Sequence, residues 1–270
     1  MTAEGSAAGS VVGSAVVTGG ARGIGREIAA LLVQRGYAVV VTDVEQEAVR
    51  RTAAEIGAVS GLVQDVRDEE GHRAVAAAAS EHGPLRAWFN NAGVGNDGTL
   101  AALTSAEVEQ LVRVNLMGVL WGMRAALGAF GPSGGDIVNV ASLSGLGPVP
   151  GLSVYAATKA AVVSLSQSVH VETPRNVRVH AVCPDGVNTA MVDAMEATGV
   201  ARALVHSSGG LLDAVSVAES AVAMVGSSRV VRSLPGWRGG LVRGTSMAPS
   251  FAMKGLPLFV AMGRRAQRRR

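Results

Sequence analysis

Val11-Val12-Gly13-Ser14-Ala15-Val16-Val17-Thr18-Gly19-Gly20-Ala21-Arg22-Gly23-Ile24-Gly25 is the stretch that decides the fold. Its first eight residues are mostly small or β-branched and apolar, without polar alternation. That predicts a strand over Val11 to Thr18, buried on both faces. The glycines after it predict a tight turn, and a helix follows from about Gly25 to Gln34. A glycine turn between strand and helix lets backbone approach a pyrophosphate and aims helix N–H groups at it. Gly19, Arg22, Gly23, Ile24 and Gly25 are therefore candidate cofactor-binding residues.

Outward from this unit the same alternation continues. Strands are expected at Tyr37 to Thr42, Val59 to Gln64, Leu85 to Asn90, Asp136 to Ala141 and Val177 to Cys183. Helices are expected at Glu45 to Ile56, Asp68 to Glu81, Ala106 to Phe130 and Tyr155 to Glu172. Strand–helix alternation of this kind predicts an α/β protein: a Rossmann-type, doubly wound parallel sheet in three layers with right-handed crossovers. Beyond Cys183 the pattern loosens. Residues 187–212 read as a lid, a helix is expected around Ala214 to Val225, and Val230 to Leu234 is a short apolar stretch. Residues 237–270 contain Pro249 and Pro257 and show no clean period. The organisation expected is a frayed tail over 1–10, one domain over 11–245 and a divergent basic tail over 246–270.

The second strand ends at Asp43. A carboxylate there accepts hydrogen bonds from the adenosine ribose hydroxyls and repels a 2′-phosphate, which favours NAD over NADP. Arg22 pulls the other way, because arginine beside the glycine turn can pair with that phosphate. A helix-capping role for Asp43 is the structural alternative. Asp65 and Val66, closing the third strand, are placed to frame the adenine.

The chemistry is signalled by scarcity. The chain has two tyrosines, and two lysines against 22 arginines, and one of each sits in Tyr155-Ala-Ala-Thr-Lys159. Four residues is about one helical turn, so the phenol and the ammonium share a face. A cation beside a phenol favours phenolate and lowers its pKa toward the range of an acid/base catalyst. The structural alternative is a solvated Tyr and Lys on an exposed helix. A lysine kept in an arginine-rich chain suits a task for a compact ammonium.

Together these residues resemble the short-chain dehydrogenases/reductases in their single-domain branch. The resemblance is carried by Thr18 to Gly25, Asn90-Asn91-Ala92-Gly93, Asn115 in Val-Asn-Leu, Ser142 thirteen residues before Tyr155, and Tyr155-x-x-x-Lys159, and it covers about residues 11 to 190. It implies an NAD(H)-dependent oxidoreductase acting on a secondary alcohol or ketone, with Tyr155 as general acid/base. Lys159 would lower the Tyr155 pKa and hold the nicotinamide ribose, Ser142 would hydrogen-bond the substrate oxygen, and Asn115 would hold a water linking Lys159 to solvent. Asn91 and Gly93 would steady the sheet beside the adenosine. Pro184-Asp185-Gly186-Val187-Asn188-Thr189 resembles the family's Pro-Gly-x-Val-x-Thr segment, with Asp185 in place of glycine; Pro184, Val187 and Thr189 would then hold the nicotinamide carboxamide. A homo-oligomer, dimer or tetramer, is also implied.

Composition sets the remaining bounds. The core must be Ala, Val and Leu, since hydrophobic residues make up 48% of the chain and aromatics 3%. The single cysteine, Cys183, excludes an internal disulfide framework, fits a reducing, cytoplasmic setting, and reads as a buried small hydrophobe. Residues 1–10 lack the basic and apolar regions of a signal peptide, and no apolar run is long enough to span a membrane. The five histidines have no ligand-like spacing, so no metal is expected. From Ser220 onward there are ten Lys or Arg and no Asp or Glu, while the other 219 residues carry 14 basic and 21 acidic groups. Such a tail is either ordinary solvation or a contact with an anionic surface such as a membrane; no nucleic-acid partner is expected. Met191, Val192, Met195, Val200, Leu204 and Val205 in the lid suggest a mainly apolar alcohol or ketone. The other functional reading is a catalytically idle NAD-binding regulatory or membrane-associated scaffold of the same fold.

Overall fold

The structure, a computed structural model, describes residues 12–268 apart from Ala197, Gly209 and Ala248. The expected tail 1–10 and Val11 lie outside the described residues. Seven strands form one parallel sheet: β1 Gly13–Thr18, β2 Tyr37–Asp43, β3 Ser60–Val63, β4 Leu85–Asn90, β5 Gly135–Val140, β6 Val177–Pro184 and β7 Val231–Leu234. Their order is β3-β2-β1-β4-β5-β6-β7. The chain runs outward from β1 to β3 and then returns past β1 to β4. That reversal opens a crevice beyond the carboxyl ends of β1 and β4, where ligands of such sheets bind.

Eleven helices are described: α1 Gly23–Gln34, α2 Gln46–Ile56, α3 Glu69–Ser80, α4 Ser105–Val112, α5 Gly118–Ala129, α6 Ser153–Glu172, α7 Ala190–Asp193, α8 Val200–His206, α9 Ala214–Val222, α10 Gly236–Met247 and α11 Pro249–Gln267. Alternate residues of the strands feed two separate cores, as a period of two requires. On one face Val16, Trp88, Ile137 and Val179 pack against Val75 of α3, Met123 of α5 and Val162 of α6. On the other, Val17, Val39, Phe89 and Val182 pack against Ile28 of α1, Val49 of α2 and Ala221 of α9. These are the three expected layers. Because the helices meet the sheet through Ala and Gly, they sit close. At Gly122 of α5 a Cβ would strike the Asn90 amide.

That close approach shields a buried polar chain. Trp88 Nε1 donates to Asn90 Oδ1 at 2.8 Å, Asn90 Nδ2 to Asn139 Oδ1 at 2.8 Å, Asn139 Nδ2 to Ser166 Oγ at 2.9 Å, and Ser166 Oγ to the Val162 carbonyl at 2.7 Å. Each donor has an acceptor, so burial costs little and the register of β4, β5 and α6 is specified. A second network closes the amino ends of β5 and β6. Arg178 grips Asp136 with two bonds of 2.8 Å, while His180 Nε2 and the Gly226 N–H approach the same carboxylate at 3.0 and 3.2 Å.

Three features differ from the sequence expectation. The helix expected over Ala106 to Phe130 is interrupted by a π turn at Arg113–Met117, centred on Asn115. The stretch Val230 to Leu234 supplies a seventh strand, Val231–Leu234, paired with β6 from Ala181↔Val231 to Pro184↔Leu234. Most of residues 237–270, read as lacking a period, is helical. Pro249 opens α11, where the missing N–H costs nothing, although Pro257 lies inside that helix. α10 contains Gly239, which packs so tightly on β7 that a Cβ would strike Ser233 Oγ. Tertiary contact, not helix propensity, holds this segment.

Candidate active site

The glycine turn closes β1 and opens α1. Gly19 and Gly23 have φ of +62° and +55°, in the left-handed region that suits glycine. At Gly25 a Cβ would collide with the Gly19 carbonyl and the Asn91 amide. Arg22 is the N-cap of α1 and makes no side-chain capping bond, nor is there an acid in the first turn. The first N–H groups of α1 are thus uncapped by any side chain, whereas Asp68, Thr104 and Asp213 cap α3, α4 and α9. An uncapped N-terminus behind a glycine turn is an anion site in waiting.

Asn91, at the end of β4, fastens this turn. Its Nδ2 donates to the Thr18 and Gly19 carbonyls at 3.0 and 2.9 Å, and its N–H reaches Thr18 Oγ1 at 3.1 Å. Asp43 ends β2 beside it and accepts from the Ala21 N–H at 3.2 Å and the Glu45 N–H at 3.3 Å. The carboxylate therefore braces the glycine turn as well as the entry to α2. Arg22 is exposed and forms no ion pair among the described residues. Asp65 is engaged by its neighbour: Arg67 Nε lies 2.9 Å away and holds the carboxyl below its usual range. Val66 is buried, packed against the position where Gly118 of α5 lacks a Cβ.

Tyr155 and Lys159 share the inner face of α6, as their spacing predicts. Lys159 Nζ lies 5.8 Å from the Tyr155 ring centroid and donates to the Val140 carbonyl at 2.9 Å. The side chain is buried, 4% exposed, with a carbonyl and no carboxylate at its head. Burial accordingly lowers the ammonium pKa to about 8. The expected effect on Tyr155 is not what the geometry gives. Burial pushes the phenol above its usual range, and the hydrogen bond with Ser142 pulls it back only in part. Desolvation is the larger of the two effects.

Ser142 follows β5 and is set by a residue of lesser prominence in the sequence. Ser144 donates to Ser142 Oγ from its N–H at 3.2 Å and from its hydroxyl at 2.9 Å. With its oxygen accepting twice, Ser142 has its own O–H left to donate. Behind it, Cys183 is fully buried and its thiol is pushed up to about 12 by burial, so it is an inert hydrophobe. Asn115 is fully buried, and its amide is spent on the Val94 backbone, with two bonds of 2.8 Å. The Asn115 amide therefore ties the π turn to the loop after β4. A Cβ at Gly93 would lie 3.3 Å from Asn115 Oδ1 and 3.6 Å from Lys159 Nζ, so glycine keeps the space between them clear.

Pro184 ends β6. Val187 is buried, and Thr189 comes close to the glycine turn, its Cγ2 lying 3.7 Å from where a Gly23 Cβ would be. The two ends of the lid are pinned by a bridge between Val187 and Leu212. Within it, Met191 and Val200 are exposed, while Val192 is buried as packing. Val205 also packs, against Gly186, where a Cβ would strike it. A groove of about 590 Å³ lies farther out, between Pro150, Val200 and the Pro257–Arg268 half of α11, and it does not reach Ser142 or Tyr155. Among the described residues no cluster could hold a metal ion, and no helix is long and apolar enough to cross a membrane.

The structure thus brings Gly19, Arg22, Gly23, Gly25, Asp43, Asn91 and Thr189 around one crevice, and Gly93, Asn115, Ser142, Tyr155 and Lys159 at its inner end. Ile24 is half-buried on the adjacent core, and Asp65 stands at the outer edge. Ser144, set beside Ser142, completes the arrangement.

Known proteins share this architecture. The family model for short chain dehydrogenases matches residues 14–199. A sorbitol dehydrogenase of Cereibacter sphaeroides is 36% identical over 189 residues, 68% of this chain and 74% of that protein. A 3-beta-hydroxysteroid dehydrogenase of Comamonas testosteroni is 33% identical over 196 residues, 71% of this chain and 77% of that protein. A short chain dehydrogenase/reductase from Burkholderia phymatum, solved in complex with NAD, superposes with a TM-score of 0.73 at 29% identity, over 83% of this chain and 89% of that one. A seven-stranded doubly wound sheet, a glycine turn after its first strand and a Tyr–Lys pair one helical turn apart thus accompany the family's sequence pattern, and the chain belongs to the short-chain dehydrogenase/reductase family of oxidoreductases.

Proposed function

We propose that this chain interconverts a secondary alcohol and a ketone with NAD(H) as redox partner, and that Tyr155 is its general acid/base. The observation that carries the reading is the trio at the end of β5 and the start of α6. A phenol in hydrogen-bonding reach of Ser142, a Ser142 hydroxyl oriented by Ser144, and a buried ammonium one turn away suit proton transfer at a carbonyl oxygen. Three such groups have no joint task in an idle scaffold, which weighs against the second reading.

The residues present fit a dinucleotide. Gly19, Gly25 and Gly93 leave room where side chains would intrude, and the uncapped start of α1 suits a pyrophosphate. Asp43 would accept from the ribose hydroxyls and so favour NAD, and Thr189 and Val187 would hold the carboxamide. When bound, NAD supplies the two-electron chemistry, taking a hydride from the alcohol carbon or giving one to the ketone carbon. The chain supplies the proton and the charge. In reduction the Tyr155 O–H gives its proton to the developing alkoxide, while the Ser142 O–H donates to the same oxygen. Lys159 stabilises the phenolate left behind, and the proton is replaced from solvent past the π turn at Asn115. Oxidation runs the same path in reverse, with Tyr155 as base.

The substrate in this reading is a mainly apolar alcohol or ketone, facing Met191 of the lid; the related steroid dehydrogenase acts on a substrate of that kind, and the sorbitol dehydrogenase does not. The test is a panel of secondary alcohols, apolar and polyhydroxylated, followed by NADH absorbance with NAD and with NADP. Turnover retained in Tyr155→Phe would sink the mechanism. A preference for NADP of about tenfold or more would overturn the role given to Asp43.

A further inference from the structure

Among the described residues of the basic C-terminal run, Arg238 is the one that pairs with a carboxylate, from a mostly buried position. Its side chain is 11% exposed, and that of Asp185, to which it pairs, is 8% exposed. Nε of Arg238 lies 2.9 Å from Asp185 Oδ2, and Nη2 donates to the Leu204 carbonyl at 2.9 Å and to Ser207 Oγ at 2.8 Å. One planar guanidinium therefore joins three places: the loop after β6, the lid around α8, and α10. Asp185 stands where the resembled segment has glycine. Among the described residues none other than glycine has a positive φ, so the backbone at Asp185 does not call for glycine. Its neighbour Gly186 is held to glycine by space, since a Cβ there would strike Val205 of α8. On its other side α8 meets α11 just as closely, for a Cβ at Gly263 would strike the Ala203 carbonyl. The lid helix is thus clasped between the end of β6 and the C-terminal helices, and Arg238 is the bolt.

The geometry points to Arg238 as a positioning residue that fixes the lid and the loop Asp185 to Thr189 in one register, making α10 and α11 part of the ligand-binding apparatus. This rests on the proposed use of that loop for the cofactor. Two roles predict different things for a conservative change. If Arg238 only neutralises a buried carboxylate, a lysine serves as well. If it positions the lid, lysine fails, because a single ammonium on a flexible stem cannot reproduce a planar fork aimed at Asp185, Leu204 and Ser207 together.

The experiment compares the full-length chain with Arg238→Lys. Tryptic cleavage at Arg202 in α8, with and without NADH, reports the lid without any turnover. NADH affinity by fluorescence titration and the KM and kcat of the best alcohol follow, with thermal unfolding as the control for folding. We expect Arg238→Lys to melt near the wild type, to be cut at Arg202 about tenfold faster, and to raise KM or the NADH dissociation constant by roughly fivefold to tenfold with a smaller change in kcat. The double variant Asp185→Gly/Arg238→Met removes both charges; it too should melt near the wild type and lack protection at Arg202. Arg238→Lys with wild-type cleavage, affinity and KM would overturn the proposal, as would a double variant that regains protection. Should no alcohol be turned over by the wild type, the cleavage and NADH-binding results still decide on Arg238, while the proposed reaction alone falls.

Discussion

β5 and β6 carry buried charge at both ends, and the two ends are built on opposite plans. At the amino end Asp136 is saturated, with two bonds from Arg178 and further contacts from His180 and the Gly226 N–H. At the carboxyl end Lys159 has a carbonyl for its partner and Tyr155 has a single hydroxyl. Burial alone would raise Asp136, yet Arg178, His180 and Gly226 hold it below its usual range. Burial lowers Lys159 with no carboxylate to oppose it. A saturated buried charge specifies the fold, whereas an under-satisfied one stores the free energy that makes a side chain reactive.

The sharpest way to break this contrast is to remove one group from each end. Tyr155→Phe should cost about 10³-fold or more in kcat/KM, roughly 4 kcal/mol of barrier, with little change in melting temperature. Asp136→Ala should do the converse: about 3 kcal/mol of stability lost in a denaturant titration, because His180 is left buried and Arg178 unpaired without their carboxylate, and near-normal kcat in the folded fraction. Destabilisation by the first variant, or inactivation by the second, would erase the distinction.

Titration tests the same contrast more gently. The Lys159 pKa is lowered from 10.5 to about 8, so the folded state pays for the charge below pH 8 and is relieved as pH rises toward 10.5. Unfolding free energy should therefore rise by about 3 kcal/mol over that window from this group, and Lys159→Met should abolish that increment. Asp136 has the same sign of slope, but in acid rather than in alkali. Its folded pKa is depressed, so its contribution is present above its ordinary value of 3.8 and is lost as pH falls below it. The smallest effect expected is from Ser144→Ala. Losing the hydroxyl that orients Ser142 should lower kcat about tenfold with KM nearly unchanged, consistent with roughly 1 kcal/mol for one hydrogen bond.

What the sequence disclosed depended on distance along the chain. Tyr155 and Lys159 are one turn apart, and the glycine turn is contiguous, so local geometry alone placed both. Asp43 and Asn91 were legible as ends of predicted strands. Arg238 and Asp185 were not, since they lie 53 positions apart and a basic tail gives no sign of which arginine is buried. α10 was missed because Gly236, Gly239, Gly240 and Gly244 argue against a helix. One of them, Gly239, marks the close approach to β7 that supports it. The upward shift of Tyr155 was illegible for a different reason: spacing shows that a cation is near, not how much water both groups have lost.

The π turn at Arg113–Met117 has a consequence for how this chain tolerates deletions. A π turn holds one residue more than an α-helical turn of the same reach. Elsewhere in a helix, removing one residue rotates everything beyond it by about 100° relative to its core. Between residues 113 and 117 the same deletion would remove the surplus and leave α4 and α5 as one uninterrupted helix still facing Met123 and Val119 to the sheet. What it would lose is the bulge that turns Asn115 toward Val94. The chain thus has a position where losing a residue would make a helix more regular and the protein less able.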